Sequence, residues 1–247
     1  MFTIEHYRKF ALNYDRFQQV QSRAVANFIQ KHLQLSIDQI IDVGGGTAQI
    51  SLMIKEDFNL TKSVVSIDPS QEMLNVAMKN GAITIESTAE DFFATEPNFP
   101  LNVIFMNSCI HHFENLDFVF SKMASYMPED GMCIVCKYPP NTTLPFFKAA
   151  KDAYMKAGDK LEEAYKHIDF ESKGLTCRKV AGVEKGIMEK MLWYEGIRNR
   201  LATFMVTFSD EELEEGIKEL EKDFKGQETI KLDITIKALI LTKQTTR

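Results

Sequence analysis

From residue 39 onward, short apolar runs alternate with stretches in which apolar positions recur every three or four residues. The runs QIIDV (39–43), SVVSID (63–68), AITIE (82–86), LNVIFMN (101–107) and GMCIVCKY (131–138) read as strands. Amphipathic stretches at 47–58, 70–80 and 115–127, with a weaker one near 89–94, read as the helices between them. Strands that alternate with helices connect by right-handed crossovers and build a parallel sheet. These runs are apolar almost throughout, the pattern of strands covered on both faces.

Apolar residues at Phe10, Tyr14, Phe17, Val25, Phe28 and Ile29 predict one or two amphipathic helices over 4–33. Beyond Tyr138 the pattern changes. PPNTTLP is a turn-rich break, followed by predicted helices at about 146–157 and 160–171, a strand near 175–183 and a helix over 187–204. Ser209 and Glu212 form a capping box, in which each side chain satisfies the other's backbone N–H. The helix it opens, 210–224, is strongly acidic, and its charges read as a solvated face. TIKLDITIKALILTK (229–243) reads as a last long strand. No internal repeat or low-complexity segment interrupts the chain.

The 247 residues are 45% apolar with 18 Phe, enough for one sizeable core, or for a core domain carrying an insertion. A net charge of −6 argues against a nucleic-acid partner, which wants a basic surface. The N-terminal MFTIEHYRKF carries Glu5, Arg8 and Lys9 and has no apolar core of a secretory signal. No run approaches the roughly 20 apolar residues that span a bilayer. The expectation is a cytoplasmic protein without a membrane partner. Cys133 and Cys136 have metal-ligand spacing, but on a strand positions three apart face opposite ways. No second pair lies nearby, so the cysteines read as structural thiols in a reducing compartment, with no metal expected.

Candidate chemistry begins at IIDVGGGTAQIS (40–51), a strand, a glycine turn and a helix start. A dinucleotide site wants G-x-G-x-x-G, and from Gly44 the sixth position is Gln49. A P-loop ends in Lys-Ser/Thr, which is missing here. The acidic-x-Gly-x-Gly-x-Gly turn fits better: Asp42, Gly44 and Gly46 match, Gly45 lies between, and Ala48 stands at the last glycine. On these residues the first 140 positions resemble a class I S-adenosylmethionine (SAM)-dependent methyltransferase. The resemblance covers residues 37 to 138 well and the remainder only in layout.

That resemblance implies an α/β fold: a Rossmann-like, doubly wound, mostly parallel seven-stranded sheet with a helical cap insertion. It implies a helical lid over 1–36, a SAM-binding core over 37–140, a cap insertion over 141–208 and a closing helix and strand over 209–247. The cofactor is SAM, with S-adenosylhomocysteine (SAH) as product. The glycine turn would pack against its methionine portion and ribose. Asp68, 22 residues past Gly46, ends the second strand, where a carboxylate accepts ribose hydroxyls and would repel a phosphate; alternatively it caps the helix after Pro69. Met73 belongs to the same segment. Thr88, Ala89 and Glu90 fall where relatives hold adenine, although many relatives carry Asp at the Thr88 position; a plain loop and helix cap is the other reading. Asn107 and Ser108, at the end of the fourth strand, would border the transferable methyl.

Methyl transfer needs alignment, water exclusion and, for a protonated acceptor, a base. His111 and His112 are the candidates, either as base and acceptor anchor or as structural residues. Tyr7 and Tyr14 are candidate lid residues, and Tyr138, Phe146, Trp193 and Arg198 candidate acceptor contacts. Residues 173 to 200 hold seven Lys or Arg against three Glu, which hints at an anionic or electron-rich acceptor; a helix with a buried Trp193 and surface arginines is the bland alternative. YPPN (138–141) reverses the N-P-P-Y motif of amino-directed nucleic-acid methyltransferases and follows the wrong strand, so base methylation is set aside. The expected function is methylation of a small-molecule O, N or C nucleophile by a monomer or homodimer. The alternative is a catalytically weak SAM- or SAH-binding regulator of the same fold.

Overall fold

The computed structural model describes residues 2–34, 39–139 and 144–244, and their side chains apart from those of 2–10 and 159–166. Seven strands form one sheet: β1 (Ile40–Val43), β2 (Val65–Asp68), β3 (Ile83–Glu86), β4 (Val103–Asn107), β5 (Met132–Lys137), β6 (Leu175–Glu189) and β7 (Thr229–Lys243). Their order is β3-β2-β1-β4-β5-β7-β6. β1 to β5 run parallel, and β7 lies antiparallel between β5 and β6. The fold class read from the sequence is the one observed. The order reverses between β1 and β4, the place in such sheets where a crevice opens at the carboxyl ends of the strands.

Eight helices flank the sheet: α1 (Phe2–His32), α2 (Gln49–Asp57), α3 (Gln71–Lys79), α4 (Ala89–Ala94), α5 (Leu116–Tyr126), α6 (Lys148–Lys166), α7 (Lys190–Arg198) and α8 (Asp210–Asp223). Successive strand residues feed two cores. Ile40, Phe105, Ile134 and Cys136 join Val25, Phe28, Ile29 and Ile54 on one face. Ile41, Ile104, Cys133 and Val135 join Phe93, Val119 and Phe120 on the other. Cys133 and Cys136 therefore sit on opposite faces, each a buried free thiol, as strand alternation requires.

Several boundaries move. The predicted helices at 146–157 and 160–171 are one helix, α6, followed by a short 3-10 turn at Glu171–Lys173. The predicted strand near 175–183 continues to Glu189, and the predicted helix over 187–204 shrinks to Lys190–Arg198 with a 3-10 segment at Thr203–Thr207. The cause is tertiary. β6 pairs residue for residue with β7 from Leu175 to Glu189, and α1 lies across it. Gly182 and Gly186 permit that approach, since a Cβ on Gly186 would stand 2.3 Å from Val20 Cγ1. The segment 141–208, read as a helical insertion, thus also supplies an edge strand of the sheet. The capping box forms as expected: Ser209 N–H donates to Glu212 at 2.7 Å, and Glu212 N–H to the Ser209 hydroxyl at 3.2 Å.

Candidate active site

The turn after β1 is built to be tight. Gly44 and Gly46 have φ of 69° and 54°, in the left-handed region that a side chain disfavours. A Cβ on Gly44 would lie 2.5 Å from Cys109 Cβ, and one on Gly45 2.6 Å from the Asp42 carboxyl carbon. The N–H groups of the three glycines and of Ala48 are engaged. Those of Gly44 and Gly45 donate to the Ile67 carbonyl at 2.7 and 3.2 Å, and that of Ala48 to Gly45 at 2.8 Å. Gly46 N–H donates to Asp68 Oδ2 at 3.0 Å. A phosphate cradle needs such groups aimed outward, so this turn is not one. Ala48 adopts the glycine-like conformation, with φ 59°, at a cost of about 1 kcal/mol.

Two carboxylates stand beside the turn without a cation. Asp42 is buried, accepts from the Ser51 hydroxyl, and is pushed up by burial to about 7. Asp68 accepts the Ser70 N–H at 2.8 Å as well as that of Gly46; burial raises it to about 6 against those two hydrogen bonds. The helix after Pro69 is capped by the Ser70 hydroxyl, which accepts Met73 N–H at 3.4 Å, and not by Asp68, which lines the cavity. Burial, and then the negative field of Asp15, Asp68 and Asp42, keep the Tyr14 hydroxyl protonated far above neutrality.

These groups line a cavity of about 500 Å³ at the carboxyl ends of β1, β2 and β4. The structure brings Tyr14, Asp42, Gly44, Gly45, Gly46, Asp68, Pro69, Met73, Thr88, Ala89, Glu90, Asn107 and Ser108 together around it. Thr88 and Glu90 also do local work. The Thr88 hydroxyl caps α4 by accepting Asp91 N–H at 3.1 Å, and Glu90 Oε1 accepts the N–H groups of Glu114 and Asn115 at 2.8 and 3.1 Å. Ser108 carries φ 51°, a strained conformation at the cavity edge of the kind that clusters at functional sites.

His112 lines the cavity and His111 does not; their rings lie 3.8 Å apart, centre to centre. Surrounding protein lowers the pKa of both, and the neighbouring His111 lowers His112 further, although each keeps an exposed edge. Both are neutral imidazoles at neutral pH.

The predicted acceptor contacts lie elsewhere. Trp193 is buried and donates to the Pro145 carbonyl at 2.8 Å, and Phe146 packs against it with ring centres 5.3 Å apart. Arg198 pairs with Glu214. Tyr138 sits behind the cavity, its hydroxyl donating to the Gln21 carbonyl at 3.4 Å. The Tyr7 side chain lies outside the described residues. Much of the basic bias of 173–200 is taken up by ion pairs: besides Arg198, Lys173 pairs with Asp117, Lys190 with Glu221, and Arg200 with Asp210. The acidic face of α8 is exposed, as read from the sequence, and Asp210, Glu214 and Glu221 also pair from it with neighbouring segments.

Sequence reasoning missed Asp15. Its carboxylate accepts the Thr47 hydroxyl and Asn80 Nδ2 (2.9 Å), and its carbonyl accepts Gln49 Nε2 (2.9 Å). One residue thus fastens α1 to the glycine turn and to the end of α3. The adjacency of Tyr14 and Asp15 was visible, but no spacing rule links Asp15 to Thr47. Ser22, Phe105, Cys109 and Phe113 also line the cavity and carried no signal beyond apolar or helical periodicity.

A family model for a methyltransferase domain matches residues 36–196. No curated protein matches the chain by sequence. Among solved structures, the YcgJ protein of Bacillus subtilis aligns with a TM-score of 0.55 at 13% identity, over 91% of this chain and 99% of that one. The plantazolicin methyltransferase BpumL, solved with SAH, gives 0.55 at 14% identity over 96% and 90%. The Haemonchus contortus phosphoethanolamine N-methyltransferase 2, solved with phosphomonomethylethanolamine and SAH, gives 0.50 at 16% identity; this chain spans about half of it, 52%. At such identities the likeness is one of fold.

Proposed function

This chain belongs to the methyltransferase-domain family, and from that premise we propose that it uses SAM to methylate a small-molecule acceptor. One observation carries the reading. A glycine turn with its N–H groups already engaged, and an uncompensated carboxylate at Asp68, share a cavity with Asn107. That combination repels a pyrophosphate and suits a nucleoside whose hydroxyls donate to Asp68.

In this reading Asp68 holds the ribose. Asp42, Gly44, Gly45, Gly46 and Tyr14 hold the methionine portion, and Pro69, Met73, Thr88, Ala89 and Glu90 flank the adenine. Asn107 and Ser108 border the reacting end. The bound cofactor supplies a methyl group already activated on a sulfonium. The chain contributes alignment and exclusion of water, with α1 held over the cavity by Asp15. His112, neutral and at the cavity, takes a proton from an acceptor that arrives protonated; His111 stacks against it. Among the described residues no helix is long and apolar enough to cross a membrane.

Calorimetry tests the assignment. SAM and SAH should bind at micromolar concentrations while NAD(H) gives no heat. Binding without methyl release to any acceptor in a broad panel would make the chain a SAM-binding regulator instead.

A further inference from the structure

Among the described residues, three buried side-chain carbonyl oxygens have no hydrogen-bond partner: Gln21 Oε1, Gln49 Oε1 and Asn107 Oδ1. Gln49 and Asn107 line the cavity; Gln21 does not, although its neighbour Ser22 does. Gln21 is 2% exposed. Gln21 and Asn107 bracket one tyrosine: the Tyr138 hydroxyl donates to the Gln21 backbone carbonyl, and the Asn107 side chain lies against the same hydroxyl. A buried carbonyl left without a donor costs about 1–3 kcal/mol, so such oxygens call for N–H or O–H groups from a ligand.

Charge narrows the class. Among the described residues, the cavity lining contains Asp42, Asp68, Glu90, Asp91 and Glu114 and no Lys or Arg. Asp15, Asp68 and Asp42 all act on Tyr14, at the same end as Ser22. A carboxylate, phosphate or phenolate acceptor would meet negative potential and no counter-charge. An amine would meet carbonyl oxygens and a field that favours its positive charge.

We infer that the acceptor is an amine, held through its N–H groups by Asn107 Oδ1 in the cavity. The inference rests on the methyltransferase reading and names its substrate class. The nitrogen lone pair of the neutral amine forms the new N–C bond, the S–C electron pair stays on sulfur, and the proton of the N-methylammonium product leaves to water. Positive charge that develops on nitrogen lies against the Asn107 carbonyl oxygen.

The test begins with SAH binding by calorimetry, which decides the methyltransferase reading separately. To the protein–SAH complex are then added benzylamine, 2-phenylethylamine and n-butylamine, each against a carboxylate of equal size. Saturable heats from at least one amine and none from the carboxylates support the inference. Equal or tighter binding of a carboxylate, or no amine binding to a complex that holds SAH, overturns it. The Asn107→Leu variant should weaken amine binding about tenfold, the loss of one buried hydrogen bond, beyond any change in SAH affinity. Amine affinity that falls no further than SAH affinity would overturn the inference.

Discussion

The two halves of this chain use charge in opposite ways. Around the cavity, Asp42 is buried and Asp68 half-buried, neither with a cation among the described residues, each raised by its burial. Across α7 and α8, Glu214 and Glu221 sit at the surface against Arg198 and Lys190, and both are lowered by those partners. The first arrangement destabilises the empty fold and waits for a ligand. The second fastens helices and leaves nothing over for binding. Lysines and arginines crowding a sequence segment therefore say less about function than acids that the fold leaves alone.

The largest effect should come from the first half. Asp68→Ala should weaken SAH binding at least tenfold, because one carboxylate faces the proposed ribose position; unchanged affinity would break the contrast outright. Next comes acidity. Asp42 and Asp68, at about 7 and about 6 in the fold, lie above the roughly 4 of an unfolded carboxylate. A carboxyl raised by folding stabilises the fold fully below its unfolded value and loses that contribution as pH rises through its folded value. Scanning calorimetry should therefore show this contribution to Tm falling between pH 5 and 7.5 in ligand-free protein. Saturating SAH should flatten the slope. The lowered surface acids act in the opposite sense, only below their ordinary range, and are screened there.

Asp15→Ala sharpens the comparison further. It should weaken SAH binding about fivefold by releasing α1 from the turn, with less effect than Asp68→Ala because no ligand contact is lost. Ala48→Gly relieves a left-handed alanine and should stabilise by about 1 kcal/mol, a rise of roughly 2–4 °C in Tm. Arg198→Ala should change neither SAH affinity nor Tm beyond about 1 °C, as expected of an exposed pair.

How much of this was legible in the sequence follows from how local each signal is. The five parallel strands were readable because each is a continuous apolar run between turn signals. The glycine turn and Asp68 were readable because strand, turn and acid keep a fixed separation along the chain. The ends of β6 and α7 were not, because Gly182 and Gly186 look like helix or strand breakers until α1 is laid across them. Trp193 and Arg198 looked like binding residues for want of partners, and those partners, Pro145 and Glu214, come from distant segments. Asp15 was missed for the same reason, since its role exists only once Thr47, Gln49 and Asn80 surround it.

The place of β7 has a consequence for how the molecule assembles. β6 is made before β7, yet it touches β5 nowhere in the sheet; β7 slides between them and pairs with both. Fifteen residues of β6 therefore stay without a neighbouring strand during synthesis, with the outer edge of β5 open beside them, until the later segment arrives. That interval is when the nascent polypeptide is most exposed to wrong intermolecular pairing. A helper that shields unpaired edges should raise the yield of native protein most if it acts before Thr229–Lys243 emerges.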